Sequence, residues 1–256
     1  MNNNVNRPII IDVLNLTKKF TDEDYVFRNF SLKLTKKNTA FFGPNGCGKT
    51  TLLRIMSGLD KSFTGRVLYN NSSGQKKLRI GYAFQDPSKF LFPWMNTFEN
   101  IAFPLKIKGV SKKESFGLVR NLLNQFKLDL PLQSYPYQLS SGQYQILVVL
   151  RSMIDSPNIL FLDEPFSNLD YLNRTKFLFD LIHGGNNNSS IVFVSHTIEE
   201  GIIFADELVL FSGKPARVIE KIQIPFKKEE RKPEMLNSKK FIDIKQNALR
   251  VFKKYI

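Results

Sequence analysis

Short apolar runs recur along the chain, and their rhythm separates strands from helices. IIIDVL at 9–14, FSLKL at 30–34 and TGRVLYN at 64–70 read as strands of an antiparallel β-subdomain covering 8–34 and 64–70, with NNSSG at 70–74 as a turn. TAFFG at 39–43, the ILFL run at 159–162 and IVFVS at 191–195 read as short buried strands, the second as the centre of a parallel sheet. KTTLLRIMSGL changes the period: Leu52, Leu53, Ile55, Met56 and Leu59 recur at helical spacing. Between residues 86 and 140 the pattern predicts a mostly helical insertion. NTFE at 96–99 and SKKE at 111–114 have the form of capping boxes, as does TIEE at 197–200, and PLQSYP at 131–136 breaks the run. A last helix is predicted over about 238–255, with Phe241, Ile244, Ala248, Val251, Phe252 and Tyr255 along one face.

Composition adds limits. The 256 residues suit one domain, 1–256, with the helical insertion as a subdomain. A hydrophobic content of 42% with 23% charged residues excludes a wholly disordered chain, and the longest apolar run, ILVVL at 146–150, is far short of a bilayer span. The start MNNNVNRPII lacks the basic then apolar form of a secretory signal, so a cytosolic setting is expected. Cys47 stands alone and can form neither an intrachain disulfide nor a zinc site. The net charge of +14 comes from lysines spread along the chain in local pairs, which reads as a solvated basic surface. Nucleic acid is not an expected partner, because no aromatic and basic stripe accompanies the charge.

The chemistry begins where the TAFFG strand meets the helix. Gly43, Gly48, Lys49 and Thr50 satisfy G-x-x-x-x-G-K-[ST]. The loop Gly43, Pro44, Asn45, Gly46, Cys47, Gly48, Lys49, Thr50, Thr51 is expected to wrap a polyphosphate, because small residues let backbone N–H groups approach it and the helix N-terminus favours negative charge. Lys49 is expected on the β- and γ-phosphates and Thr50 on Mg²⁺. Asp163 and Glu164 follow the ILFL strand, at the edge where parallel sheets place their ligands. Asp163 is expected to hold Mg²⁺ through water. Glu164 is expected to orient the attacking water or take its proton. The fold class is therefore α/β: a P-loop NTPase with a mostly parallel core sheet, an antiparallel β-subdomain and an α-helical insertion.

LSSGQ at 139–143, before a helix and upstream of ILFLDEP, resembles the LSGGQ signature of the nucleotide-binding subunits of ATP-binding cassette (ABC) transporters. The resemblance extends over nearly the whole chain. It implies that Gln85 of GYAFQD is a Q-loop residue touching Mg²⁺ or the lytic water, that His196 is the switch histidine on the γ-phosphate, and that Asp170 of SNLD is the D-loop aspartate. Phe20 is matched to the aromatic that stacks on adenine, with Tyr25 as its rival. Ser140, with the backbone at Ser141, Gly142 and Gln143, is then expected to complete the ATP site of a second subunit. The implied assembly is a dimer, most simply of identical chains, with ATP and Mg²⁺ as cofactors. Ser141 departs from the usual glycine, and a cost is expected there if the backbone needs positive φ or a close approach to phosphate. Ile146 and Leu150 make the following helix more apolar than in relatives.

The segment FLFPWMNTFENIAFPL at 90–105 and the terminal helix resemble the nitrate, sulfonate and taurine importer subgroup. The segment reads equally as the insertion's core and as an aromatic docking groove for a membrane protein. The resemblance implies a transport-coupled ATPase on the cytoplasmic face of the plasma membrane, peripheral to it. Its partners would be a separate integral permease and, indirectly, a solute-binding protein, and its work the import of a small anionic solute. Alternatives of other classes are a soluble cassette ATPase acting on nucleic acid or as an assembly scaffold, and an exporter subunit.

Overall fold

The computed structural model describes residues 9–70, 78–86, 88, 90–184 and 189–255. The predicted turn at 70–74 lies outside them except for Asn70.

Three strands, β1 (Ile10–Lys19), β2 (Tyr25–Leu34) and β4 (Thr64–Asn70), form an antiparallel sheet in the order β2-β1-β4. The second sheet runs β5 (Ile80–Ala83), β6 (Ile159–Asp163), β7 (Ser190–Val194), β3 (Asn38–Phe42), β8 (Glu207–Phe211), β9 (Val218–Gln223). Its first five strands are parallel and β9 is antiparallel to β8. Strands β6, β7 and β8 are buried at every position, which explains why their sequences are continuous apolar runs.

The pleat divides those runs between two cores. Leu160, Leu162, Phe193 and Leu208 face one core, shared with helices, whereas Phe161, Val192, Val194 and Phe211 face another, closed by the antiparallel sheet and by α1 (Lys49–Met56). Full burial of Phe161 contributes up to about 3 kcal/mol of transfer free energy. The helical side holds α4 (Ser141–Met153), α5 (Tyr171–Gly184), α6 (Ile198–Phe204) and α7 (Lys239–Lys253). The arm between β5 and α4 contains α2 (Thr97–Ile107) and α3 (Lys112–Gln125). No helix among the described residues is long and apolar enough to cross a membrane.

Local details correct several expectations. Asn96 and Glu99 make both bonds of a capping box at α2. At α3 Ser111 accepts from the Glu114 N–H without the return bond, and at α6 Thr197 accepts from Glu200 N–H while the Glu200 carboxylate turns elsewhere. Leu59 lies beyond α1 and is 55% exposed, and Tyr255 lies beyond α7, also exposed. In the aromatic segment the two readings divide by side chain: Phe98 and Leu105 are core, Phe92 and Phe103 flank the Arg151 guanidinium, and Trp94 stands in solvent at 69% exposure. Trp94, Phe98 and Ala102 line a hollow of about 540 Å³ on the arm.

Candidate functional site

Parallel pairing brings Ala83, Asp163, Val194 and Phe42 to one edge of the sheet, and the residues after them turn toward a common cavity. It measures about 450 Å³ and is lined by Phe20, Val26, Asn45, Gly46, Gly48, Lys49, Thr50, Thr51, Gln85, Glu164, His196 and Lys214. The loop can bend around this space because Gly48, the residue capping α1, has φ +114° and presses on Val26. A Cβ there would lie 2.4 Å from Val26 Cγ1, so a side chain is excluded both by conformation and by space.

Lys49 is 6% exposed and donates to the carbonyl oxygens of Gly43 (2.8 Å) and Pro44 (2.9 Å), so its ammonium is held inside the loop. Cys47 turns its thiol inward, where burial pushes the thiol pKa up, and its sulfur accepts from Lys49 Nζ at 3.9 Å. Gly43 and Pro44 likewise offer carbonyls to Lys49 and do not line the cavity. Below the lysine, Thr50 Oγ1 donates to Asp163 Oδ1 at 2.8 Å and the Tyr82 hydroxyl donates to Oδ2 at 3.2 Å. Asp163 is fully buried. Desolvation raises its pKa, with the Glu164 charge adding to the rise, while the bonds from Thr50 and Tyr82 pull the other way without cancelling it.

Glu164 is 8% exposed and has φ +49°, left-handed backbone that side chains other than glycine seldom adopt. Its Oε2 accepts from Gln85 Nε2 at 2.7 Å and lies 2.5 Å from His196 Nε2. Three residues from three strand ends therefore meet on one carboxylate oxygen. The loop carrying His196 is fixed from behind: the Glu200 carboxylate accepts from Ser195 Oγ and from Arg174 Nη1 (3.0 Å), and Arg174 Nη2 donates to Leu169 O at 2.7 Å. Glu200 is thus diverted from capping to bracing, which explains its one-sided cap.

At the far end Phe20 is 63% exposed, with the Lys18 and Lys214 ammonium groups 5.3 and 5.9 Å from its ring centre. Lys214 is paired with Asp24 at 2.9 Å. Tyr25, the rival, meets the Arg28 guanidinium and does not line the cavity. Val26 and Lys214 were not anticipated, since neither belongs to a motif. Tyr82, also unanticipated, lies on β5 three residues before Gln85.

The signature residues sit elsewhere. Ser140 caps α4 in a full capping box with Gln143, the Gln143 N–H donating to Ser140 Oγ and the Ser140 N–H to Gln143 Oε1 (3.0 Å). Ser140, Gly142, Gln143, Leu169 and Asn173 line a separate hollow of about 210 Å³. Ser141 is the first residue of α4, not at positive φ, so strained backbone is not a source of the expected cost. The demand for a missing side chain falls on Gly142, where a Cβ would lie 2.8 Å from Leu169 Cδ2. The exposed Asp170 carboxylate accepts from Asn173 N–H (3.0 Å) and Nδ2 (2.6 Å), bonds that lower its pKa. None of Ser140, Ser141, Gly142, Gln143 and Asp170 reaches the phosphate cavity of its own chain.

Known proteins resemble this chain along most of its length. The family model for the ABC transporter matches residues 27–167. The aliphatic sulfonates import ATP-binding protein SsuB of Bacillus cereus is 32% identical over 248 residues, covering 95% of this chain and 94% of that protein. The taurine import ATP-binding protein TauB of Pseudomonas aeruginosa is 34% identical over 210 residues, covering 78% of this chain and 77% of that one. Among solved structures, the dimer of MJ0796, a bacterial ABC transporter cassette, superposes with a TM-score of 0.73 at 25% identity, covering 85% of this chain and all of that one. With a family match across more than half the chain and a relative aligned almost end to end, the chain belongs to the ABC transporter family as an ATP-binding cassette ATPase.

Proposed function

We propose that two copies of this chain bind two ATP molecules between them, hydrolyse them, and so drive import of a small anionic solute through a separate membrane permease. One observation carries this reading: the phosphate loop, Glu164, Gln85 and His196 gather at one cavity, with Asp163 bonded to Thr50 beneath it, while Ser140 sits in another hollow of the same chain. A triphosphate needing both sets must lie between two chains.

Each residue then has a task. Phe20 offers an open ring face for adenine. Lys49 exchanges its carbonyl partners for β- and γ-phosphate oxygens, a stronger, charge-assisted pairing. Glu164 directs the lytic water, held in aim by Gln85 and His196; phosphoryl transfer depends on such positioning more than on covalent help. Ser140 and the N-terminus of α4 approach the γ-phosphate from the second chain, with Ser141, Gly142 and Gln143 supplying backbone and Asp170 lying beside the junction.

The donor set suits Mg²⁺. A hydroxyl and a buried carboxylate, Thr50 and Asp163, meet at 2.8 Å below the loop, both hard oxygen ligands, with Gln85 near enough to the same cavity to join them. Bound there, Mg²⁺ would neutralise charge on the β- and γ-oxygens.

The cargo assignment follows the relatives: SsuB and TauB are named for sulfonate and taurine import. The exposed Trp94 beside the 540 Å³ hollow supports docking on the permease as an aromatic anchor; in this reading the chain works at the cytoplasmic membrane face, with a solute-binding protein as indirect partner. Membranes solubilised from cells producing a tagged chain should release it together with a polytopic permease, and Trp94→Ala should reduce that recovery while leaving ATP hydrolysis by the isolated chain unchanged. Recovery only from the soluble fraction, with salt-sensitive nucleic-acid binding that stimulates hydrolysis, would overturn the transport reading.

A further inference from the structure

The terminal helix α7 touches the site from behind. Phe252, 9% exposed, sets its ring against that of Phe42, with centroids 4.8 Å apart and planes at 64°. Phe42 is the last residue of β3 and precedes Gly43, whose carbonyl holds Lys49. Sheet pairing with β8 and the close approach of Gly43 to Phe211 hold the backbone here; Phe41 points to the opposite face, into the core closed by the antiparallel sheet, so Phe42 is the ring that the end of β3 turns toward the helical side.

The helix is itself pinned, so this contact is not a chance touch of a loose tail. Ala248 and Phe241 are buried in the helical-side core, and Lys245 Nζ lies 2.6 Å from Glu199 in the first turn of α6. The segment before α7 is fastened by Arg231, 2% exposed, whose guanidinium donates to the carbonyl oxygens of Ile203, Ala205 and Phe226 and pairs with Asp206. A buried arginine with that many acceptors resists withdrawal, because removal would strand its partners.

We infer that Phe252 is a positioning residue for the phosphate loop: through Phe42, α7 fixes the height of Gly43 and therefore where Lys49 meets the triphosphate. The inference rests on the proposed nucleotide site. An edge-to-face pair of this kind is worth enough to change nucleotide affinity several-fold if its loss lets the loop relax.

The test compares variants of the full chain by equilibrium binding of a fluorescent, non-hydrolysable ATP analogue and by thermal melting. Phe252→Ala should weaken nucleotide binding by about 5-fold or more. Phe241→Ala removes a ring that is also buried on the same helix, at 4% exposure against 9% for Phe252, but away from β3. It should lower the melting temperature comparably and leave affinity within about twofold, since distant sites behave independently. Phe42→Leu should weaken binding as Phe252→Ala does, and the double variant Phe42→Leu/Phe252→Leu should be no worse than the weaker single, the mark of one shared contact. If Phe252→Ala does not fold, Phe252→Leu and the double-variant comparison decide the matter. Parental affinity in Phe252→Ala and Phe252→Leu, or equal weakening by Phe241→Ala, would overturn the inference. A parent that binds no nucleotide would instead refute the proposed function.

Discussion

The phosphate-loop face and the signature face of this chain are built to opposite specifications. On the first, every polar group of consequence is buried or pinned: Lys49 by two carbonyls, Asp163 by Thr50 and Tyr82, Glu164 by Gln85 and His196. On the second, Ser140, Ser141 and Asp170 stand in solvent, engaged only in capping their own helices. Under the proposed function, the difference separates the half that acts from the half that is presented. Reacting groups must be fixed before their ligand arrives, because reorganisation during the reaction costs rate. A surface that meets a second chain needs only a stiff helix end, and caps supply that stiffness.

The largest expected effect removes the centre of the pinned face. Glu164→Gln should lower kcat about 100-fold or more with nucleotide affinity nearly unchanged, measured by phosphate release and by analogue binding. A variant that still turned over would deny Glu164 its role. The comparison itself is broken or sharpened by mixing. Ser140→Tyr and Lys49→Ala should each reduce hydrolysis by about 100-fold alone. Combined in one solution, they should recover activity, since a heterodimer contains one site with an intact loop and an intact signature. Absence of recovery would mean that the two faces do not act on a common nucleotide.

The smallest effect concerns pH. Asp163 has a raised pKa, so it gains its proton at a higher pH than an ordinary carboxylate as the medium is acidified. Mg²⁺ requires the charged form; metal-dependent nucleotide affinity should therefore fall with falling pH, beginning above the usual carboxylate range. Tyr82→Phe deletes a donor to the charged form and should move that fall to still higher pH, weakening affinity by roughly 3-fold at a fixed pH on the limb. Calorimetric titration across pH reads the shift, and an unmoved limb would show that Tyr82 does not tune Asp163.

Much of the pinned face was legible because its parts are local: a glycine loop between a strand and a helix, or acids at the end of an apolar run, fix their geometry within a few residues. What escaped reading depends on assembly. Tyr82 reaches Asp163 only because β5 pairs with β6 in one parallel register, opposing Ala83 to Leu162. Lys214 arrives beside Phe20 from almost two hundred residues away, drawn by its pairing with Asp24. Ser141 reads as a possible cost because it stands where the LSGGQ signature has glycine, whereas in the fold it opens α4 with helical backbone. Glu200 read as half of a capping box, yet Arg174 competes for its carboxylate, a contest no local pattern could reveal.

The backbone at Glu164 has one more implication. At φ +49° asparagine or glycine would be more comfortable than glutamate. Glycine or asparagine at position 164 would relieve that backbone while removing the carboxylate assigned above to the lytic water, so on the proposed function stability and turnover pull against each other at one residue.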